Sequence, residues 1–137
     1  RVLAVGYIIA NPHSAAARRA QAAEPSEEEL AALVRYGAGI LDLPVVYLEY
    51  SGSQAPDAMV EVAGRCLRRI RAAGGRSRLF YGGGIAGYES ARRRLQQVDT
   101  IVVGNALYSP RGLAVLEETL AARDDALREG DPGCPTS

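Results

Sequence analysis

Four times along the chain, a short run of β-branched and aromatic residues stops at small residues and gives way to helical spacing. "VLAVGYIIA" (residues 2–10) is closed by Asn11-Pro12 and reads as a strand buried on both faces. "PSEEELAALVRYGAGIL" follows, with Ser26 placed to cap a helix, Glu29 three residues on, and Leu30, Leu33, Val34 and Ile40 on one stripe. "PVVYLEY" is the second strand, stopped by Ser51-Gly52, and "PDAMVEVAGRCLRRIRAAGG" is an amphipathic helix ending in Gly74-Gly75. "RLFY" and "DTIVVGN" are the third and fourth strands. "GYESARRRLQQ" and "GLAVLEETLAARDDALRE" are the helices that follow them. Residues 131–137, "DPGCPTS" after Gly130, read as a frayed, disordered tail.

Strand–helix alternation of this kind requires parallel strands joined by crossover helices. Two architectures satisfy it. A small doubly wound sheet suits 137 residues. Half of an eight-stranded barrel, whose full length is typically about 250 residues, suits a chain that opens inside an apolar run. On that second reading the chain is expected to be part of a longer protein.

Composition narrows the function. Sixteen basic residues balance sixteen acidic ones, so nothing in the charge calls for nucleic acid or a membrane surface. Every basic residue is Arg, so a phosphate site here must use backbone N–H groups or guanidinium rather than lysine. Cys66 and Cys134 make no disulfide framework, and no apolar run reaches about 18 residues. A reduced, cytoplasmic protein without a transmembrane segment is expected. His13 is the single histidine; it leaves no zinc constellation and no Ser-His-Asp triad, and a solvated loop position is its simplest reading. The arginine clusters at 65–71 and 92–94 fall on helices without interleaved aromatics and read as solvated faces.

The chemistry lies at the strand ends. Ser51-Gly52-Ser53, Gly82-Gly83-Gly84 and Gly104-Asn105 all follow strands, and in a parallel sheet such turns share the C-terminal edge. Glycine lets backbone N–H groups approach an anion, so three converging turns form a phosphate cradle that needs no lysine. Each turn taken alone is equally a tight turn and nothing more. In "YLEYSGS", Tyr47, Glu49 and Ser51 share one face of the strand, while Val46, Leu48 and Tyr50 share the other. The apolar face packs under helices, which points Glu49 toward the barrel mouth. A buried carboxylate needs a ligand hydroxyl, a cation or an inward Arg to satisfy it.

In this order, "GYIIANP", "PVVYLEYSGS", "LFYGGGI" and "DTIVVGNALY" resemble the C-terminal half of the geranylgeranylglyceryl phosphate synthase family, whose bacterial members are heptaprenylglyceryl phosphate synthases. The resemblance runs from Val5 to Tyr108. It implies an α/β fold, a (βα)8 TIM barrel, of which this chain carries about the last four βα units within residues 1–130. It implies a prenyltransferase of ether-lipid biosynthesis, active as the complete protein. That enzyme joins a geranylgeranyl or heptaprenyl diphosphate to the C3 hydroxyl of sn-glycerol 1-phosphate.

By the same resemblance, Tyr47, Leu48, Glu49, Tyr50, Ser51, Gly52, Gly84, Gly104 and Asn105 bind the glycerol phosphate. Glu49 and Tyr47 are the candidate catalytic residues. The family's Mg²⁺ is expected on strands upstream of this chain, with no metal ligand within it, and the complete protein is expected to be a homodimer. Ala15 departs from the family, which often carries lysine near this position. Two other readings stand beside this one: another phosphate-binding barrel enzyme, and a small non-catalytic α/β phosphate-binding module.

Overall fold

The computed structural model describes residues 2–129; the tail at 131–137, with Cys134, lies outside them. The chain runs β1 (Val5–Ile9), α1 (Ala15–Ala20), α2 (Glu27–Val34), β2 (Val45–Glu49), α3 (Asp57–Ala72), β3 (Arg78–Gly82), α4 (Tyr88–Leu95), β4 (Thr100–Val102) and α5 (Gly112–Arg128). A π-helical turn, Arg35–Ile40, extends α2, and a 3-10 turn, Asn105–Tyr108, follows β4.

The four strands form one parallel sheet in the order β1-β2-β3-β4. Tyr7 pairs with Tyr47, Tyr47 with Phe80, and Phe80 with Thr100. A doubly wound sheet reverses its strand order and carries helices on both faces. This sheet advances in one direction, which is the winding of a TIM barrel. The described residues are four βα units of that fold.

Packing shows the same asymmetry. Ile8, Val46, Leu48, Leu79 and Tyr81 point to the helix side, where they meet Leu30, Val34, Val60, Leu67 and Ala91 in one core. Burying each large side chain contributes about 1.5–3 kcal/mol. The opposite face carries Val5, Tyr7 and Val102, which are 45%, 56% and 38% exposed. The expectation that residues 2–10 are buried on both faces is therefore corrected for the described residues. On the outer face of β1, Ile8 joins the helix-side core, and the inner face stands open.

Ser26 caps α2 as its sequence implies. Its hydroxyl accepts the Glu29 N–H at 3.2 Å, and the Glu29 carboxylate accepts the Ser26 N–H at 2.8 Å. These bonds hold the Glu29 pKa below the usual carboxylate range. The expected stripe fails at Leu33, within α2, and again at Ile40, in the turn that follows. Leu30 and Val34 are fully buried, but Leu33 is 45% and Ile40 73% exposed. The Leu41 N–H bonds the Tyr36 carbonyl five residues back, and this wider winding turns Gly37 and Ala38 to the core instead.

At the N-terminal edge of the sheet, Arg71 donates to both Asp99 carboxylate oxygens at 2.7 and 2.9 Å. Asp99 also accepts the Leu79 N–H at 2.7 Å. The end of α3 is thereby tied to the edge opposite the strand-end turns.

Candidate functional site

At the C-terminal edge, the turns after β2, β3 and β4 converge. Ser51-Gly52, Gly83-Gly84 and Gly104-Asn105 line one cavity of about 250 Å³, with Tyr47, Ile85, Ala86, Val102 and Ala106 completing its wall. No lining residue is charged. Among the described residues, the N–H groups of Gly52, Gly84 and Asn105 donate to no protein acceptor. Unused donors around a concavity are what an anion requires when no cation is at hand.

The backbone explains the residue types. Gly52 and Gly84 adopt φ of 98° and 59°, a region that suits glycine. A β-carbon on Gly84 would lie 2.6 Å from the Gln54 nitrogen and 2.8 Å from the Ser53 carbonyl carbon, so the second turn presses on the first. A β-carbon on Gly104 would meet nothing within 4 Å. That position opens onto the cavity.

Tyr47 reaches across β3, and its ring stacks on Tyr7 at 4.9 Å between centroids with 11° between planes. Desolvation raises the pKa of both phenols, only partially at Tyr7, whose side chain is still half-exposed, and the Glu49 charge adds to it, so both are protonated donors at neutral pH.

Glu49 is 1% exposed and lies beside the cavity rather than in its wall. Its Oε1 accepts the Ser51 N–H at 2.8 Å, and its Oε2 faces the Ser14 hydroxyl at 3.5 Å. The inward Arg considered as its partner is absent among the described residues, and a backbone N–H with a serine hydroxyl takes its place. The second oxygen is thus weakly held, which leaves it acceptor capacity for a hydroxyl.

Leu48 and Tyr50, named with the site by resemblance, turn their side chains away from the cavity. Leu48 is fully buried in the core, and the Tyr50 hydroxyl faces Glu24 at 3.4 Å. Strand alternation forces this, because both share the outer face with Val46. Their backbone stays close to the turns: the Tyr50 N–H donates to the Gly82 carbonyl at 2.7 Å.

Two residues that the sequence reading passed over brace the rim. Asn11, 5% exposed, donates to the Ser51 carbonyl at 2.6 Å and accepts the His13 N–H at 2.9 Å. Ser14 caps α1 and faces Glu49. Their only sequence signal is Asn-Pro followed by Ser, which reads equally as a strand stop. His13 itself is exposed. Among the described residues, no three of His, Cys, Asp or Glu gather where a metal ion could bind.

A singly wound parallel sheet with an uncharged, glycine-lined cavity at its C-terminal edge defines a TIM-barrel protein. The family model described as the PcrB family matches residues 1–122, and the chain belongs to that family. It is 34% identical over 133 residues to a heptaprenylglyceryl phosphate synthase of Geobacillus kaustophilus, covering 96% of this chain and 53% of that protein. It is 33% identical over 132 residues to a geranylgeranylglyceryl phosphate synthase of Haloquadratum walsbyi, covering 96% and 52%. A heptaprenylglyceryl phosphate synthase of Bacillus velezensis is 42% identical over 108 residues, covering 78% and 44%. The chain spans about half the length of the relatives it matches. None of the helices among the described residues is long and apolar enough to cross a membrane.

Proposed function

We propose that this chain supplies the glycerol-phosphate side of an ether-forming prenyltransferase, completed by a further barrel half. The observation that carries this reading is the cradle: three turns offering free N–H groups, with the Tyr47 phenol and the Glu49 carboxylate beside them. The phosphate of sn-glycerol 1-phosphate sits against Gly52, Gly84 and Asn105. The glycerol hydroxyls then extend toward Tyr47 and Glu49.

The second substrate is a long-chain prenyl diphosphate, as the names of the relatives suggest. The C3 oxygen of glycerol forms a bond to the allylic carbon as the bond from that carbon to diphosphate breaks. The hydroxyl proton passes to the weakly held Oε2 of Glu49, and diphosphate leaves with the bonding electrons. Tyr47, kept protonated, donates to a glycerol oxygen and fixes its direction. Positioning two bound reactants in this way lowers the barrier by several kcal/mol. The described residues do not form a site for the Mg²⁺ that the family resemblance implies. Its ligands are proposed on strands outside this chain, and no step here runs through it. The complete enzyme is proposed to be a cytoplasmic homodimer, again on family resemblance.

A self-sufficient binding module is the weaker reading, because it leaves Val5, Tyr7 and Val102 in water on the inner face. Another phosphate-binding barrel enzyme shares the cradle but gives no role to a buried Glu49 beside a phenol. The test is to incubate the full-length gene product with Mg²⁺, sn-glycerol 1-phosphate and either a C20 or a C35 prenyl diphosphate. Ether product with one donor is expected and identifies the chain length. A folded protein that binds glycerol phosphate but makes no ether with either donor overturns the reaction and keeps only the cradle.

A further inference from the structure

We propose that Arg94, buried behind the sheet on α4, is a positioning residue that sets the anion-binding turn after β2. This rests on reading the cavity as the glycerol-phosphate site. Arg94 is 1% exposed. Its Nη2 donates to the Ala55 carbonyl at 2.5 Å, and its Nη1 donates to Asp57 Oδ1 at 2.6 Å and Gln97 Oε1 at 2.9 Å. The guanidinium lies over the Tyr81 ring, 5.2 Å from its centroid, and the Tyr81 hydroxyl accepts the Ala55 N–H at 2.9 Å. Both backbone groups of Ala55 are therefore held by side chains 39 and 26 residues away in sequence.

Ala55 follows Gln54, the residue against which Gly84 presses from the cavity side. The segment from Ser51 to Asp57 is clamped between two supports, Arg94 with Tyr81 behind it and Gly84 in front. Its position fixes the gap between the Gly52 and Gly84 N–H groups, and that gap decides whether both reach one phosphate. A buried guanidinium is a costly way to fill space, and here its Nε finds no partner among the described residues. An apolar side chain would pack the same volume but give Ala55 and Asp57 no directed bonds.

Arg71 provides the contrast. It is also paired and largely shielded, but it binds Asp99 at the far edge of the sheet and makes no hydrogen bond to the cavity turns. If Arg94 only stabilised the fold, Arg94→Met and Arg71→Met would act alike on ligand affinity. The experiment uses the full-length gene product. It measures sn-glycerol 1-phosphate affinity by calorimetry, the KM for prenyl diphosphate, and thermal melting, for wild type, Arg94→Met, Arg94→Lys and Arg71→Met.

Arg94→Met is expected to weaken glycerol-phosphate binding about tenfold or more, because misplacing a site from a distance costs factors of this order. The prenyl diphosphate KM is expected to be unchanged, and Arg94→Lys, which keeps one donor, to recover part of the affinity. Arg71→Met is expected to lower the melting temperature and leave affinity within about twofold, as a remote stability change does. Equal affinities for Arg94→Met and Arg71→Met overturn the positioning role. If Arg94→Met does not fold, the same comparison with Arg94→Lys decides. Failure of the wild-type protein to bind glycerol phosphate overturns the site reading itself, and this inference with it.

Discussion

The Tyr47 side chain crosses β3 so closely that its hydroxyl occupies the place a β-carbon on Gly82 would take. Gly82 is buried beneath the ring and pairs with Glu49 in the sheet register. The first glycine of the triple therefore makes room for the phenol rather than for the anion. The clash that Gly82→Ala creates is with the free end of a side chain, so the fold relieves it by swinging Tyr47 away. The expected outcome is a melting temperature within a few degrees of wild type and glycerol-phosphate affinity weakened about tenfold, the worth of one lost hydrogen bond to a ligand. Calorimetry with a parallel melting curve checks it. Unchanged affinity would take Tyr47 out of the site.

Glu49→Gln keeps the shape of the side chain and retains an oxygen to accept the Ser51 N–H, now bonded at 2.8 Å. It removes the ability to take a proton. In the full-length protein, turnover is expected to fall by about 10²-fold or more, the usual share of a general base, while glycerol-phosphate affinity stays within about threefold. Steady-state kinetics with direct binding separate the two. A variant with full turnover would end the proton-acceptor role.

What the sequence disclosed follows from how local each signal is. The alternation of strand and helix, the Ser26–Glu29 cap and the three small-residue turns are set by neighbours in the chain, and all form. The face of each residue in "YLEYSGS" followed from alternation alone, and the core position of Leu48 agrees with it. The hidden parts join distant residues. Asn11 meets Ser51 across 40 residues and Arg94 meets Ala55 across 39, and nothing local in an Asn-Pro turn or an arginine cluster announces such a partner. The sequence places Arg94 in a cluster that fits a solvated face, yet it is the most deeply buried charge on α4. The π-helical turn was equally hidden, because the Leu33 and Ile40 spacing fits an ordinary α-helix.

Gly84 and Gly104 both line the cavity, but they should fail differently when enlarged. At Gly84, φ is 59° and a β-carbon would press on the Gln54 and Ser53 backbone. Gly84→Val is therefore expected to cost about 2 kcal/mol or more of stability as well as anion binding. At Gly104 the new side chain projects into open space. Gly104→Val is expected to abolish glycerol-phosphate binding with a smaller loss of stability. Urea unfolding curves beside binding isotherms distinguish the two; loss of stability alone at Gly104 would remove that turn from the cradle.

The phenols predict the alkaline limit of the fold. Burial raises the pKa of Tyr7, Tyr47, Tyr50 and Tyr81, and at Tyr7 and Tyr47 the Glu49 charge adds to it. At Tyr88 the hydrogen bond to Asp125 does so first. A folded pKa above the unfolded value near 10 means the native state holds these protons more tightly. Their contribution to stability is then fully present below about pH 10 and is lost as pH rises through the folded pKa values. Tyrosinate absorbance should show Tyr7, Tyr47, Tyr50, Tyr81 and Tyr88 titrating above their ordinary range, together with or after a loss of helix by circular dichroism. Tyr47→Phe should remove one of those late protons and leave the helix signal at neutral pH unchanged. If instead these five phenols ionise at their ordinary pKa while the fold persists, Tyr47 is not the shielded, protonated donor that the proposed reaction requires.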